Sequence, residues 1–559
     1  MAQAELRPGP GSAGRPSGSE RPSSVDVLVV GAGPTGLALA AQLREFGVRF
    51  RIIEQRLDGQ PSRAFIIQPR TLEVLDPLGL GQELVAAGDP SARVELRAGR
   101  RRAALTLAAA GSSGTGHPYL LAMPQAAVEQ VLAGHLETRG VVVERGVRLI
   151  DLRLDGGEAA RCRLRHPDGG IEQLDVAFVV GCDGVDSTVR SAAGIPFPAR
   201  TYRTQLLLAD VDLHGDLDLH TVHGAVDRLG VVFLFPFPAG AGWRLLAVLD
   251  DGDADRPDAV VVAERIARSF AGHAAMGQLH WAQRVTLRRA QAASYRRGPV
   301  FVAGDAAHVH SPAGAQGMNS GIQDAVNLGW KLALAVAGSG SPGLLASYSA
   351  ERWPVARWTR RLTDLAFVLE AGNLGPLDGL RYRLAPALAA VVDGRPFPGP
   401  AFRLLGGLLT RYRLGSPQAE DGEPRLHRRP HPGARMPDGV LRTDAGNDVH
   451  LHQLLRPAGF HVLLCAPVGA PGATRTDRWS SVGIGPLGPV PVTVHWIVAT
   501  PSPGSLHDPG GRFLHQLRVP AGGATYVVRP DGYIGYRCGG TGPDGAARHL
   551  AAYRPRRQR

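Results

Sequence analysis

Residues 27–54 constrain this fold more than any other stretch. Val27 to Val30 form an apolar run of the kind a buried strand needs. Gly31-Ala32-Gly33-Pro34-Thr35-Gly36 follows at once, then a helical pattern from Leu37 to Phe46 that Gly47 stops. Val48 to Ile53 read as a second strand, and it ends in Glu54, 18 residues after the last glycine. This is G-x-G-x-x-G in the strand–turn–helix–strand–acid setting of a dinucleotide site. Gly31 permits the tight turn, Gly33 lets a pyrophosphate approach the backbone, and Gly36 lets helix and strand pack closely. Glu54 is placed to accept hydrogen bonds from a ribose, with Gln55 beside it. Pro34 and Thr35 complete the loop.

Two further stretches share this grammar. Val300 to Ala303 form an apolar run that ends in Gly304-Asp305, which sets a carboxylate at a strand's C-terminal edge. Gly314, Gly317 and Gly321 then bracket a loop entering a helix whose apolar positions recur at three- and four-residue spacing. A helix fed by such a loop offers free N–H groups to an anion. Between the two, Ala177 to Val180 read as a buried strand ending in Gly181-Cys182-Asp183-Gly184, and Asp186 or Ser187 can cap the next helix.

The stretch Gly304-Asp305 through Pro312 to Gly317-Met318-Asn319 resembles the second FAD motif of the class A flavoprotein monooxygenases, the para-hydroxybenzoate hydroxylase-like group. Asp183-Gly184 resembles the same family's middle motif, and the likeness covers roughly residues 25–370. The resemblance implies FAD as bound cofactor and NADPH or NADH as transient reductant. It implies that Asp305 binds the ribityl chain and that Pro312, Gly317, Met318 and Asn319 lie beside the flavin ring. It also implies FAD contacts from Arg63 and Gln125, and a link from Asp183 to both FAD and NAD(P)H. No acid or base residue is assigned, because the cofactor carries the hard chemistry.

The fold class expected is α/β plus α+β. The resemblance implies a Rossmann-like FAD-binding domain interleaved with a β-sheet substrate domain, and the last unit resembles the thioredoxin-like C-terminal domain of the larger aromatic and phenol hydroxylases. The boundaries expected are a disordered tail over 1–23, FAD-binding segments at 24–90, 123–195 and 291–370, substrate-domain segments at 91–122 and 196–290, and a helical linker over 371–424. The C-terminal domain would cover 425–559, with a hairpin around Pro530-Asp531-Gly532 and no Cys-x-x-Cys, so no thiol redox activity is expected. Phe233, Phe235 and Phe237 alternate in an apolar run and would face one side of the substrate sheet, where they are candidates for a pocket with Pro312.

The net charge of +12 raises nucleic-acid binding as a class. It is discounted, because Lys331 is the only lysine among 62 basic residues and no dense basic run exists. That usage, with abundant Ala, Gly and Pro, fits GC-rich codon bias. Four scattered cysteines lack metal-type spacing, and His308 and His310 lack further ligands, so no metal is expected. Reduced thiols, no apolar leader and no long apolar span point to a cytoplasmic protein without a membrane segment, monomer or homodimer. The activity that the resemblance implies is NAD(P)H-consuming hydroxylation, by dioxygen through a flavin C4a-hydroperoxide, of a phenolic or polycyclic aromatic molecule, and the chain is most similar to the aromatic polyketide and antibiotic-tailoring hydroxylases. Phenol or hydroxyphenylpropionate catabolism, rifampicin-type drug inactivation and Baeyer–Villiger oxidation are alternatives. A flavin binder without monooxygenase activity is the contrasting class.

Overall fold

The computed structural model describes residues 25–57, 65–98, 101–109, 114–154, 159–226, 231–237, 242–249, 251–311, 315–339, 343–371, 396–413, 420–421, 430–467 and 485–554. The expected tail, Arg63 and Pro312 lie outside these residues.

The first sheet has six strands: β1 (Val27–Val30), β2 (Phe50–Glu54), β7 (Val143–Arg145), β11 (Phe178–Gly181), β17 (Arg296–Arg297) and β18 (Val300–Val302). Their order is β17-β18-β11-β1-β2-β7, parallel except for β17 against β18. β1 is fully buried, as a parallel strand covered on both faces must be. Helix α1 (Pro34–Glu45) crosses α7 (Gln316–Val336) at Gly329, where a Cβ would stand 2.7 Å from Gln42 Cβ. The absent side chain lets the two helices approach closely.

A nine-stranded sheet forms the second unit: β4 (Arg93–Ala98), β5 (Arg101–Ala109), β12 (Ala199–Gly215), β13 (Thr221–Val226), β14 (Val231–Pro236), β15 (Trp243–Val248), β16 (Ala274–Gln291), β19 (His308–Val309) and β20 (Pro396–Phe397). Its order is β19-β16-β12-β15-β14-β13-β4-β5-β20. The stretch expected as a linker therefore supplies an edge strand here, and a helix at Gly399–Leu405. One face packs on α6 (Asp258–Ser269) through Val232, Leu234, Leu245, Val262 and Ile266.

Two smaller sheets complete this half. One comprises β8 (Arg148–Arg153), β9 (Ala160–Arg165) and β10 (Ile171–Val176), with β9 and β10 joined by a turn at Pro167–Gly170 whose Pro-Asp-Gly-Gly sequence suits a hairpin. In the other, β3 (Ile66–Ile67) pairs with β6 (Leu121–Ala122).

The last sheet joins β21 (Glu420–Asp421), β22 (Val440–Arg442), β23 (Asp448–His450), β24 (Phe460–Ala466), β25 (Val492–Val498), β26 (Leu506–His507), β27 (Ala524–Val528) and β28 (Ile534–Gly539). Its order is β21-β28-β27-β24-β25-β26-β22-β23, with β24 parallel to β25 and antiparallel to β27. This unit packs on the first through Trp330, whose ring meets Phe460 at 5.5 Å and Tyr553 at 5.9 Å. Charged side chains are buried beside it. On α2 (Pro69–Leu75), Glu73 is fully buried and binds Arg435 of the C-terminal unit at both carboxylate oxygens, with Arg70 at 3.0 Å and the Thr115 hydroxyl at 2.6 Å. No described helix is long and apolar enough to cross a membrane, and none of the four cysteines is in a disulfide.

Segment 114–119 is tied into this junction by His117, 2.8 Å from Asp76. Burial alone would lower the His117 pKa, but the Asp76 carboxylate outweighs it and raises the value above 6.5. The sign follows: this pair stabilises the fold fully below pH 6.5, and the contribution is lost as pH rises through the elevated value. Thermal melts over that window should show the loss, and Asp76→Asn should flatten it.

Candidate functional site

In the first sheet β18, β11, β1 and β2 are neighbours and parallel. Their C-terminal ends therefore stand side by side, and they carry in order Gly304-Asp305, Cys182-Asp183, the Gly31–Gly36 turn and Glu54. The three motifs meet although more than 100 residues separate each from the next.

The glycines account for the closeness. Gly31 has φ +102°, and a Cβ there would lie 2.4 Å from the Cys182 carbonyl oxygen. At Gly36 a Cβ would lie 1.9 Å from the Gly31 oxygen. Thr35 fills the gap left by Gly304 and Gly321, where a Cβ would meet its Oγ1 at 2.5 and 2.2 Å. Gly33 differs: nothing lies within 4 Å of its Cβ position. It is the N-cap of α1, no side chain caps that helix, and Pro34 opens it. An open space before uncapped N–H groups suits a pyrophosphate.

Glu54, expected to accept hydrogen bonds from a ribose, accepts the Ala32 N–H at 2.9 Å and that of Arg56 at 3.1 Å, and so braces the glycine turn. Gln55 is exposed just beyond it. Gln125, in the first turn of α4 (Gln125–Glu137), donates to Glu129 at 2.8 Å. Asp183 accepts the Ser187 hydroxyl at 2.5 Å and the Val189 N–H at 3.1 Å, and burial raises its pKa despite these bonds. It thereby anchors α5 (Thr188–Ala192), whose N-cap is Ser187, while Asp186 is exposed.

Asp305 is exposed in a turn at Gly304–Ala306. The N–H of Gly304 is held by Asp324 at 3.1 Å. Asp324 also binds His308 at 2.8 Å and Arg352 at 2.6 Å. Burial opposes its charge, but Arg352 and His308 hold its pKa below the usual carboxylate value. His310 stacks parallel to His308, and burial pushes its pKa down to about 4, so it is neutral near pH 7. Among the described residues no group of three His, Cys, Asp or Glu could hold a metal.

Helix α7 starts at Ala315, a non-glycine residue at φ 52°, with no side-chain cap. Gly317 and Met318 occupy the first turn, half-buried. The Asn319 side chain is fully occupied elsewhere: Oδ1 accepts the Gln68 N–H at 2.9 Å, and Nδ2 donates to the carbonyls of Ile66 and Ala315 at 2.9 and 2.8 Å. It clamps β3 and the N-cap of α2 to the start of α7.

Phe233 and Phe235 lie on the sheet face opposite Val232 and Leu234. Phe65 stacks on Phe235 at 4.7 Å and meets Phe237 at 6.3 Å. Arg244 shares this face, two-pronged on Asp210 at 2.6 and 2.7 Å. Its guanidinium lies between the rings of Phe65, Phe237 and Trp281, with Nη1 buried and unpartnered. Sequence reading missed Arg244; its only signal was a basic residue inside an apolar strand. It also missed Arg190, which ties the Val185 carbonyl to that of Ala306 and so joins the second and third motifs.

The profile of the FAD binding domain family matches residues 24–363. A 6-methylpretetramide 4-monooxygenase of Streptomyces rimosus is 34% identical over 92% of this chain and 91% of its own length. A rifampicin monooxygenase of Streptomyces venezuelae is 38% identical over 63% of this chain and 73% of its own. The solved anhydrotetracycline hydroxylase of Streptomyces rimosus superposes with a TM-score of 0.71 at 29% identity, covering 95% of this chain and 99% of that one.

Proposed function

The chain belongs to the FAD binding domain family of flavin-dependent aromatic monooxygenases, and from that premise we propose that it hydroxylates a polycyclic, polyketide-type phenol in secondary-metabolite biosynthesis. It is an FAD-dependent enzyme, and NAD(P)H is the reductant typical of this class. The convergence of three glycine-marked strand ends on one sheet edge, with an aromatic sheet face linked to the start of α7 through Phe65 and the Asn319-held Ile66, is the observation that carries this reading.

The residues present fit FAD. The open space at Gly33 and the uncapped start of α1 suit its pyrophosphate, with Gly31, Pro34, Thr35 and Gly36 shaping the turn. Glu54 and Gln55 are assigned to a ribose, Asp183, Gly304 and Asp305 follow strands that end at the same edge, and Gln125 is retained on resemblance. Gly317, Met318 and Asn319 are assigned to the ring surroundings, with Asn319 acting by fixing the strand opposite. Arg63 and Pro312 are retained on resemblance alone. Bound FAD, once reduced, supplies activation of dioxygen. The chain's own work is to bind, orient and exclude water. The uncapped N–H groups at the start of α7 favour negative charge placed before them.

Phe233, Phe235 and Phe237 supply an apolar wall, and Arg244 its polar handle. Arg244→Lys keeps a cation opposite Asp210 but loses the flat guanidinium between the rings. It should lower kcat/KM about tenfold or more, mainly through KM, with FAD affinity unchanged. Titration of the apoprotein with FAD, alongside steady-state kinetics, separates the two effects.

We assign the domains the boundaries expected from sequence except within 371–424, where Pro396–Phe397 joins the substrate sheet and Glu420–Asp421 the C-terminal sheet, and read the C-terminal unit as thioredoxin-like without a redox pair. Supporting this are the order β28-β27-β24-β25, the parallel β24–β25 pair and the antiparallel β27–β28 hairpin. Cys465 is buried on β24, and burial pushes its thiol pKa well up.

The test is direct. The purified protein should be yellow, and NADPH oxidation in air should jump with one member of a panel of phenols and anthraquinone-type polyketides, giving a product one oxygen heavier. Rifampicin belongs in the panel, because a relative of that name is 38% identical. A lactone product would establish Baeyer–Villiger oxidation instead. A protein that takes up no FAD would overturn the reading.

A further inference from the structure

A buried polar chain links the turn at Gly304 to the C-terminal hairpin. Asp324, which holds the Gly304 N–H, is itself held by Arg352 of α8 (Gly343–Ala371). Arg352 Nη1 donates to the Tyr412 hydroxyl at 3.3 Å, and the Tyr412 ring stacks on Tyr533 at 3.9 Å. One turn along α7, Asn327 Nδ2 donates to Glu351 at 2.7 Å and to Asp531 at 3.0 Å. Lys331 donates to Asn327 Oδ1 at 2.9 Å and to Glu351 at 2.8 Å. Arg529 grips both oxygens of Glu351 at 2.8 and 2.7 Å. Arg70 donates to the Asp531 carbonyl at 2.6 Å, and its guanidinium lies 4.5 Å from the centre of the Tyr533 ring. None of these side chains belongs to a residue more than 4% exposed.

The hairpin Arg529–Tyr533 thus touches α2, α7 and α8 at once. These helices also carry the flavin-side fittings: Asn319 and Asp324 lie on α7, and Arg70 follows the Gln68 that Asn319 clamps. Buried ion pairs are poor glue, since apolar side chains of similar volume hold two surfaces together as well or better. A directional network does something else: it fixes one helix register against its neighbours. The register of α7 decides where its first turn and Asp324 stand.

We propose that the C-terminal hairpin Arg529–Tyr533 is a positioning element of the flavin site, acting through Asp531 on Asn327 and through Tyr533 on Tyr412, Arg352 and Asp324. This rests on the binding of FAD and not on the identity of the substrate.

The test uses the full-length protein, stripped of FAD and titrated below the apoprotein's melting point. Asp531→Asn and Tyr533→Leu should weaken FAD binding by about threefold to thirtyfold, the range expected of coupling carried through packed residues. Both should also change the shape of the bound flavin's visible bands and shift its midpoint potential. Tyr533→Phe should match the wild type in all three, because the Tyr533 hydroxyl is buried without a partner and only the ring is used. Ile497→Ala, in the core of the C-terminal unit, supplies the control: it lowers the melting temperature and leaves the flavin spectrum alone. Should Asp531→Asn and Tyr533→Leu behave like Ile497→Ala, with wild-type FAD affinity, spectrum and potential, the hairpin is only a structural contact and the proposal falls.

Discussion

Gly33→Ala should leave the apoprotein folded and cost it its cofactor. Gly33 has φ −73° and ψ −179°, a conformation any residue adopts, and nothing lies within 4 Å of the position its Cβ would take. Alanine there is therefore free of clash, and by restricting the unfolded chain it can even add about 0.4–1 kcal/mol of stability. The same methyl group occupies the space before the uncapped N–H groups of α1. Loss of two charge-assisted hydrogen bonds at about 1.5 kcal/mol each removes about 3 kcal/mol, or roughly 100-fold in FAD affinity. Gly36→Ala gives the opposite pattern, since its Cβ would stand 1.9 Å from a backbone oxygen that cannot step aside. That variant should fail to fold with or without FAD. Apoprotein melts and FAD titrations of the two variants check both statements. A Gly33→Ala protein that binds FAD like the wild type would remove the pyrophosphate from this loop.

The second large effect lies at the junction of the first and last sheets. Arg435→Met should destabilise the protein by about 3–5 kcal/mol, because it leaves Glu73 buried and deprived of its principal partner. Burial works against a charged Glu73, yet Arg435, His452 and Arg70 together hold its pKa far below the usual carboxylate range. A depressed carboxylate contributes stability above its unfolded pKa, and that contribution is lost as pH falls toward the folded value. The gap between wild type and Arg435→Met should therefore be widest near neutral pH and close as the solution is acidified. Urea unfolding at several pH values, followed by tryptophan fluorescence, measures it. A gap that stays constant with pH would mean that Glu73 does not carry the effect.

The elements that could be read from sequence were those with local causes. β1 runs over the residues expected, since four consecutive apolar positions and a glycine turn have one economical solution. The hairpins at Pro167–Gly170 and Pro530–Gly532 also stand where their turn residues put them. The glycines of the three motifs mark close approaches, and at Gly31, Gly36, Gly304 and Gly321 a Cβ would stand within 2.5 Å of a neighbouring atom. Arg70 shows where local reading stops. Near a helix start it looks like a surface cation, yet it is fully buried, because its partner Asp531 arrives from 461 residues away. Glu73 and Arg435, 362 residues apart, are the same case. Pairing at such range leaves no periodicity in the chain. Asn319 and Gln125 could be singled out as residue types, but the bonds their side chains make depend on the packed neighbours.

Lys331 has a practical consequence. It is the sole lysine of the chain and it is completely enclosed, yet burial, only partly offset by Glu351, lowers its pKa to about 8. Acylating reagents that seek amines thus find no side-chain target on the intact protein. Labelling at this one position would report, molecule by molecule, how often the C-terminal unit lifts from the rest, and a mass spectrum of the peptide that contains Lys331 would separate it from a tag on the N-terminal amine. The molecule carries its own tamper seal.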